Sequence, residues 1–123
     1  MITKIATVAV YVDDQKKAKN FWTDKVGFEV FRETEMSPGM NWLEVGPKGA
    51  QSALVVYPKK LMPEWQAASI VFLTDDVEAT YATLVKNGVQ FDGGLQKMEY
   101  GTFARFKDDD GNLFLIKGAP SAN

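Results

Sequence analysis

Short apolar runs separated by polar and turn residues divide the first half of the chain into strands and one helix. The run Ile5–Val12 is rich in β-branched residues and stops at an Asp-Asp pair, which is typical of a strand followed by a helix N-cap. Apolar residues then recur at helical spacing and end before Gly27: Ala18, Phe21, Trp22 and Val26. Three further strands are predicted at Phe28–Glu33, Asn41–Val45 and Ser52–Tyr57. The first half therefore predicts the order β-α-β-β-β.

The second half repeats this order. Asp75-Asp76 takes the place of Asp13-Asp14, and Gly88 takes the place of Gly27 as the residue that closes the helix. The helical stripe and the strands of this half are predicted at Val77, Tyr81, Leu84 and Val85, and at Ser69–Leu73, Val89–Phe91, Tyr100–Phe106 and Leu113–Lys117, with a loop at Asp92-Gly93-Gly94. Such self-similarity predicts one domain, 1–123, built from internal repeats 1–58 and 68–119 with a linker at 58–67.

Aspartates flank several of these elements. The pairs Asp13-Asp14 and Asp75-Asp76 precede helices, where a carboxylate accepts hydrogen bonds from free backbone N–H groups, so we interpret them as caps rather than metal ligands. The run Asp108–Asn112 lacks the spacing and the downstream Glu of a calcium loop, and we interpret it as a strand-joining turn.

Composition narrows the function. The chain has no cysteine and no histidine, which removes thiol chemistry, the commonest metal ligand and the usual general base at neutral pH. Its 14 basic and 16 acidic residues give a net charge of −2, which argues against nucleic acid as a partner. No apolar run approaches the roughly 20 residues of a membrane helix. The N-terminus is too short and strand-like for a signal peptide, so we expect a cytoplasmic protein without membrane contact.

Two motifs give the repeat a resemblance to a known family. They are Ile5-x-x-Val8-x-Val10-x-Val12-x-Asp14, running into Ala18-x-x-Phe21-Trp22, and Phe106-x-Asp108-x-Asp110-Gly111-Asn112. With these, the chain resembles the vicinal oxygen chelate superfamily, which includes glyoxalase I, bleomycin-resistance proteins, fosfomycin-resistance proteins and extradiol dioxygenases. The resemblance implies an α+β fold of two βαβββ modules in a curved, incomplete mixed-sheet barrel. It also implies helices on the convex face, a concave cleft for a small-molecule ligand, and a homodimer.

The resemblance also implies where a metal would bind, and the residues there do not suit one. Metal-dependent members carry ligands on the first and last strands of each module, typically His, Glu or Gln. The matching positions here hold Thr7, Val55, Ser69 and Leu115. None of these side chains is a strong metal ligand. We therefore predict no metal and no other cofactor.

Strand alternation indicates which residues line the cleft. In the first repeat these are Thr7, Tyr11, Trp42, Glu44 and Val55, and in the second they are Ser69, Phe103, Arg105 and Leu115. Trp42 and Phe103 could equally cover the sheet or fill a dimer interface, and Glu44 and Arg105 could be an ion pair. Glu44 is a weak candidate for a catalytic proton acceptor. Tyr11 and Tyr100 are possible phenolic donors.

Three functions are compatible with this pattern. The first is a metal-free protein of the bleomycin-resistance type, which binds and sequesters a small molecule. The alternative is a glyoxalase-like lyase, isomerase or dioxygenase that uses non-standard residues such as Glu44 and Tyr11. The third is a regulatory module whose cleft is filled by its own side chains, Trp42, Phe103 and Trp65 among them. The sequence leaves open whether the protein is an enzyme.

Overall fold

The computed structural model describes residues 1–62, 64–99 and 101–118. The chain divides between Ala67 and Ala68 into two compact units, which we call the first and second modules. This boundary falls at the end of the predicted linker. Whether the two modules make one domain stays a prediction.

The first module is a four-stranded mixed sheet with one helical layer. Its strands are β1 (Thr7–Val12), β2 (Glu29–Ser37), β3 (Met40–Gly46) and β4 (Ala53–Pro58). They lie in the order β1-β4-β3-β2, with β1 parallel to β4 and the other pairs antiparallel. Helix α1 (Gln15–Asn20) continues directly into a π-helical segment, Phe21–Val26, and a 3₁₀ turn, Lys59–Leu61, follows β4.

The second module has the same topology. Its elements are β5 (Ser69–Thr74), α2 (Val77–Lys86), β6 (Phe91–Met98), β7 (Gly101–Lys107) and β8 (Leu113–Gly118). The strand order is β5-β8-β7-β6, again with the first strand parallel to the last. The prediction of an α+β fold made of two βαβββ modules is confirmed.

Both helices begin and end as their sequences predict. The Asp14 carboxylate accepts hydrogen bonds from the backbone N–H groups of Lys16 and Lys17, at 2.9 and 3.1 Å, and the Asp76 carboxylate accepts one from Ala79 at 3.0 Å. Gly27 and Gly88 close the helical segments with φ values of 90° and 97°, in the left-handed region that favours glycine. The acidic pairs thus include the helix caps that we predicted.

Each module has its own apolar core on the helix-facing side of its sheet. In the first module Trp22 is fully buried and packs between the rings of Phe21 and Phe28. The strand residues buried with it include Val10, Val12, Leu43, Val45, Leu54 and Val56. In the second module the buried apolar residues are Val77, Leu84, Val89, Ala104, Phe106, Phe114 and Ile116.

Two sequence predictions about the second module were wrong. Asp92-Gly93-Gly94 is not a loop but part of β6, whose pairing with β7 is interrupted between Asp92 and Gln96. Gly93 and Gly94 adopt positive φ in the unpaired stretch, as in a β-bulge. Pairing with β7 resumes at Gln96, so the strand continues past them. Val85 does not belong to the buried helical stripe, since it is 47% exposed.

The turn at Asp108–Asn112 is held together by side chains. The Asp108 carboxylate accepts hydrogen bonds from the N–H groups of Asp110 and Asn112, and from the Asn112 amide at 2.8 Å. The Asn112 amide oxygen in turn accepts a hydrogen bond of 2.7 Å from the N–H of Ala68. Gly111 supplies the positive φ, at 82°. The run is therefore a strand-joining turn that also fixes the entry to β5.

Across the described residues, no helix is both long and apolar enough to cross a membrane.

Candidate ligand-binding face

One face of the first module's sheet carries most of the residues predicted to contact a ligand. Alternation places them opposite the buried Val10, Val12, Leu43, Val45 and Val56. Register then sets neighbours side by side, because Tyr11 pairs with Tyr57 on β4, and Val55 pairs with Glu44 on β3. We call this surface the open face; it is defined by Tyr11, Trp42, Glu44, Val55 and Tyr57.

Three aromatic rings form a row across the open face. The rings of Tyr11 and Tyr57 stack at a centroid distance of 5.9 Å and an angle of 23°. The Trp42 ring meets Tyr57 edge-on, at 5.5 Å and 83°. The ring contacts hold the three side chains in place. All three are half-buried, so part of each remains accessible to a ligand.

Glu44 stands beside this row with its carboxylate fixed in place. The indole Nε1–H of Trp42 donates a hydrogen bond of 2.6 Å to Glu44 Oε2. Arg32 on β2 lies opposite Glu44 in the ladder and is exposed. Among the described residues, Glu44 has no salt-bridge partner. The carboxylate is therefore held in place by a neutral donor.

The same neighbourhood perturbs Tyr57. Burial raises the pKa of the Tyr57 phenol, and the proximity of Tyr11 and Glu44 raises it further. A negative phenolate would be poorly solvated there and repelled by the carboxylate. Tyr57 is therefore a neutral phenol at physiological pH and can donate a hydrogen bond.

Sequence reasoning missed Tyr57, although a signal for it was present. Val55 was assigned to the cleft, and Tyr57 lies two residues further along the same strand, on the same face. Tyr100, the other phenolic candidate, lies outside the described residues.

At the end of the open face away from the aromatic row, Phe31 packs closely against Gly46. The ring of Phe31 lies over Gly46, so that a Cβ added there would be only 3.0 Å from Phe31 Cζ. Thr7 and Ala53 pair at this end of the β1–β4 ladder. The open face thus has small residues and a phenylalanine at one end and the aromatic row with Glu44 at the other.

The corresponding face of the second module carries the remaining predicted residues. Ser69 and Val71 pair with Leu113 and Leu115, while Arg105 lies opposite Leu115. Phe103 pairs with Lys117 and is half-buried, whereas Arg105 is exposed. This face is more aliphatic and more basic than the open face of the first module.

The positions that correspond to the family's metal ligands are equivalent in the two modules. Thr7 pairs with Ala53, two residues before Val55, and Ser69 pairs with Leu113, two residues before Leu115. The side chains of Val55 and Leu115 have no donor atom, so this residue set does not fit a metal ion. Within residues 1–62, 64–99 and 101–118, no group of three or more acidic residues is placed to hold one either.

A separate polar groove of about 740 Å³ lies beside α1 in the first module. Its lining includes charged side chains that already have partners: Lys19 pairs with Glu33 at 2.7 Å, and Lys59 with Asp13 at 3.2 Å. The Gln15 amide is fully engaged with the backbone of Asn41 and Val56. Several of the groove's polar groups are thus already bound to other protein groups, and the aromatic open face is the better candidate for a ligand.

Comparison with known proteins agrees with this architecture. The sequence model of the Glyoxalase/Bleomycin resistance protein/Dioxygenase superfamily matches residues 4–116. The chain belongs to this superfamily. It is 55% identical, over 95% of its own length and 99% of the other, to the uncharacterized protein YetH of Bacillus subtilis strain 168.

Two solved structures are similar over nearly the whole chain. TnmS3, an antibiotic binding protein from Streptomyces sp. CB03234, is 36% identical with a TM-score of 0.83, and the match covers 98% of both chains. A superfamily member from Sphaerobacter thermophilus DSM 20745 is 27% identical with a TM-score of 0.85, covering 96% of this chain and 98% of the other. The resemblance inferred from the two motifs is confirmed at the level of the superfamily.

Proposed function

We propose that this superfamily member is a metal-free protein that binds and sequesters a small molecule. The observation that carries the proposal is the ordered aromatic row with Glu44 on the open face of the first module. Rigid aromatic side chains supply contact area at low entropic cost, and a few fixed polar groups orient the ligand. The similarity to TnmS3, an antibiotic binding protein, supports the same class of function.

The residues at the metal-ligand positions support the metal-free part of the proposal. Two of the four, Val55 and Leu115, have only hydrocarbon side chains, and Thr7 and Ser69 offer only hydroxyls. Elemental analysis of the untagged protein should find no stoichiometric metal. A stoichiometric metal ion would refute this part and favour the enzymatic alternative.

A ligand screen tests the binding function. A panel of small aromatic molecules, read out by melting temperature, should contain at least one that stabilises the protein; a ligand at 100 times its Kd adds about 2.7 kcal/mol to the free energy of unfolding. Trp42→Ala and Tyr57→Ala should each lower the affinity for that ligand about tenfold or more. Trp65→Phe is the matched control, since Trp65 contacts Lys59 rather than the aromatic row.

Two results would refute the proposal. One is a panel without any stabilising molecule. The other is a ligand whose affinity is unchanged in both Trp42→Ala and Tyr57→Ala. The enzymatic alternative has its own test, because it needs a proton acceptor: an activity found in the parent should be lost in Glu44→Gln.

The homodimer is also part of the proposal. β5 is an edge strand of its sheet, and it exposes Val71 by 56% and Leu73 by 65%. Exposed apolar side chains on a sheet edge favour association with another chain. Sedimentation velocity should show a dimer, and Leu73→Lys should shift it toward monomer; a parent that is monomeric at micromolar concentration would contradict this.

A further inference from the structure

The two strands that carry Trp42 and Tyr57 are paired over only part of their length. Within residues 40–58, all of which the structure describes, the ladder between β3 and β4 has two residue pairs, and Glu44–Val55 is the one nearer the aromatic row. The same register, if continued, would bring Trp42 opposite Tyr57. The segments that hold these two rings therefore lie beyond the ladder that joins β3 to β4.

A side chain from helix α1 bridges these segments. Gln15 Nε2 donates hydrogen bonds to two carbonyl oxygens, that of Asn41 on β3 at 2.7 Å and that of Val56 on β4 at 2.8 Å. Gln15 Oε1 accepts a third, of 3.0 Å, from the backbone N–H of Asn41. One amide group thus links the backbones of both strands.

Pro58 explains why the sheet needs a donor from outside at this point. In the continued register Pro58 would lie opposite Asn41, and proline has no backbone N–H to donate to a ladder. The Gln15 amide satisfies both the N–H and the carbonyl of Asn41 instead. The bridge therefore replaces ladder hydrogen bonds that the sequence of β4 excludes.

The bridged residues adjoin the aromatic row. Asn41 directly precedes Trp42, and Val56 directly precedes Tyr57, and these two rings meet at a centroid distance of 5.5 Å. We infer that Gln15 is a positioning residue of the open face: its amide sets the spacing of β3 and β4 at which the Trp42 and Tyr57 rings meet. Any effect on a ligand rests on the proposed binding function.

Nuclear magnetic resonance of the full-length protein tests the positioning without a ligand. Gln15→Ala removes all three hydrogen bonds, so the two strands should separate at this end. The nuclear Overhauser contacts between the Trp42 and Tyr57 rings should then be lost or weakened. The ¹H–¹⁵N signal of the Trp42 indole, identified by its loss in Trp42→Phe, should also shift.

Three further variants separate positioning from a general loss of stability. Gln15→Glu keeps the size and the oxygen that accepts from Asn41 but has no N–H for the two carbonyls, so it should change the same signals. Lys16→Ala is the control on the same helix, because this exposed residue contributes only its backbone N–H to the described hydrogen bonds. Asn112→Ala controls for lost stability, since its hydrogen bonds lie in the second module. Both controls should keep the signals of the parent, and circular dichroism checks that every variant is folded.

Calorimetric titration with quinoline, a neutral flat aromatic molecule, adds a binding measurement. A ligand that must itself order loosened side chains binds less tightly, so quinoline should bind Gln15→Ala about two- to tenfold more weakly than the parent. Lys16→Ala should bind quinoline with the affinity of the parent.

The outcomes keep the inference apart from the function on which its ligand part rests. If both Gln15 variants keep the ring contacts and the indole signal of the parent, or if Asn112→Ala changes them as much, the positioning role is wrong and the proposed function stands. If the signals change but quinoline binds the parent and Gln15→Ala equally, the positioning is supported and its effect on ligands is refuted. If quinoline does not bind the parent, the result counts against the proposed function, and the two signals still decide the positioning.

Discussion

The buried side-chain amide of Asn112 should make a measurable contribution to the stability of the second module. Asn112 is fully buried, and its side chain joins two segments of the second module. It donates to the Asp108 carboxylate at 2.8 Å and accepts from the N–H of Ala68 at 2.7 Å. Asn112→Ala would remove both bonds and leave the Ala68 donor and part of the Asp108 carboxylate without protein partners.

The expected cost follows from the two bonds. A hydrogen bond between neutral groups contributes about 0.5–1.5 kcal/mol and one to a charged group about 1.5–3 kcal/mol. Asn112→Ala should therefore lower the free energy of unfolding by about 2–4 kcal/mol, or the melting temperature by roughly 10 °C. Urea unfolding followed by circular dichroism measures the first quantity and a thermal scan the second.

Asp109→Ala is the matched control, because Asp109 is exposed on the same turn. It should change the free energy of unfolding by less than about 0.5 kcal/mol. If Asn112→Ala cost no more than this control, the amide would not be holding β5 to the turn, and the account of that turn would be wrong.

Three other predictions follow from the same structure. Gly46→Ala should lower the free energy of unfolding by about 1–2 kcal/mol, because the added Cβ would lie 3.0 Å from Phe31 Cζ. In urea unfolding, Phe31→Leu should recover part of this loss when it is combined with Gly46→Ala; additive losses would contradict the clash. Burial raises the pKa of Asp108, so folding favours its protonated form. The stability of the parent relative to Asp108→Asn should therefore rise as the pH falls through that raised pKa toward the ordinary value of 3.8; parallel pH profiles in urea unfolding would disprove this. The raised pKa of Tyr57 means that its phenol should ionise above the ordinary value of 10.0, and the stability that its neutral form contributes should be lost as the pH rises through the raised pKa. Absorbance at 295 nm should show a late ionisation step that Tyr57→Phe removes; an unchanged titration of that variant would contradict the assignment.

The order of strands and helices could be predicted because its signals are local. Asp14, Asp76, Gly27 and Gly88 each mark a helix end through their own hydrogen bonds or backbone conformation. The faces of β1, β3, β7 and β8 followed from alternation, which gave the orientation of most predicted cleft residues. Whether those residues bind a ligand stays a prediction.

The remaining features depend on tertiary pairing. Gly93 and Gly94 resemble a loop in sequence, yet β7 pairs with the strand on both sides of them. Strand β4 is central and buried over Ala53–Val56, so its apolar run does not alternate. Its cleft face could be inferred only by extending the assignment of Val55 by two residues, which would have included Tyr57. The hydrogen bond from Trp42 to Glu44 joins residues two apart on one strand. It depends on the side-chain rotamers, which the sequence does not give.

The parallel pairing of the first and last strands has a consequence for how the protein is made. β1 hydrogen-bonds to β4, and β5 to β8, so the opening strand of each module stays without its sheet partner until almost the whole module has been synthesised. Contacts so distant along the chain make folding slow, because a long loop must close first. On the ribosome the first module can close once Pro58 has emerged, while the second must wait for its final strand. A nascent chain that is stalled before β8 would therefore hold one finished sheet and one strand, β5, with its edge still unpaired.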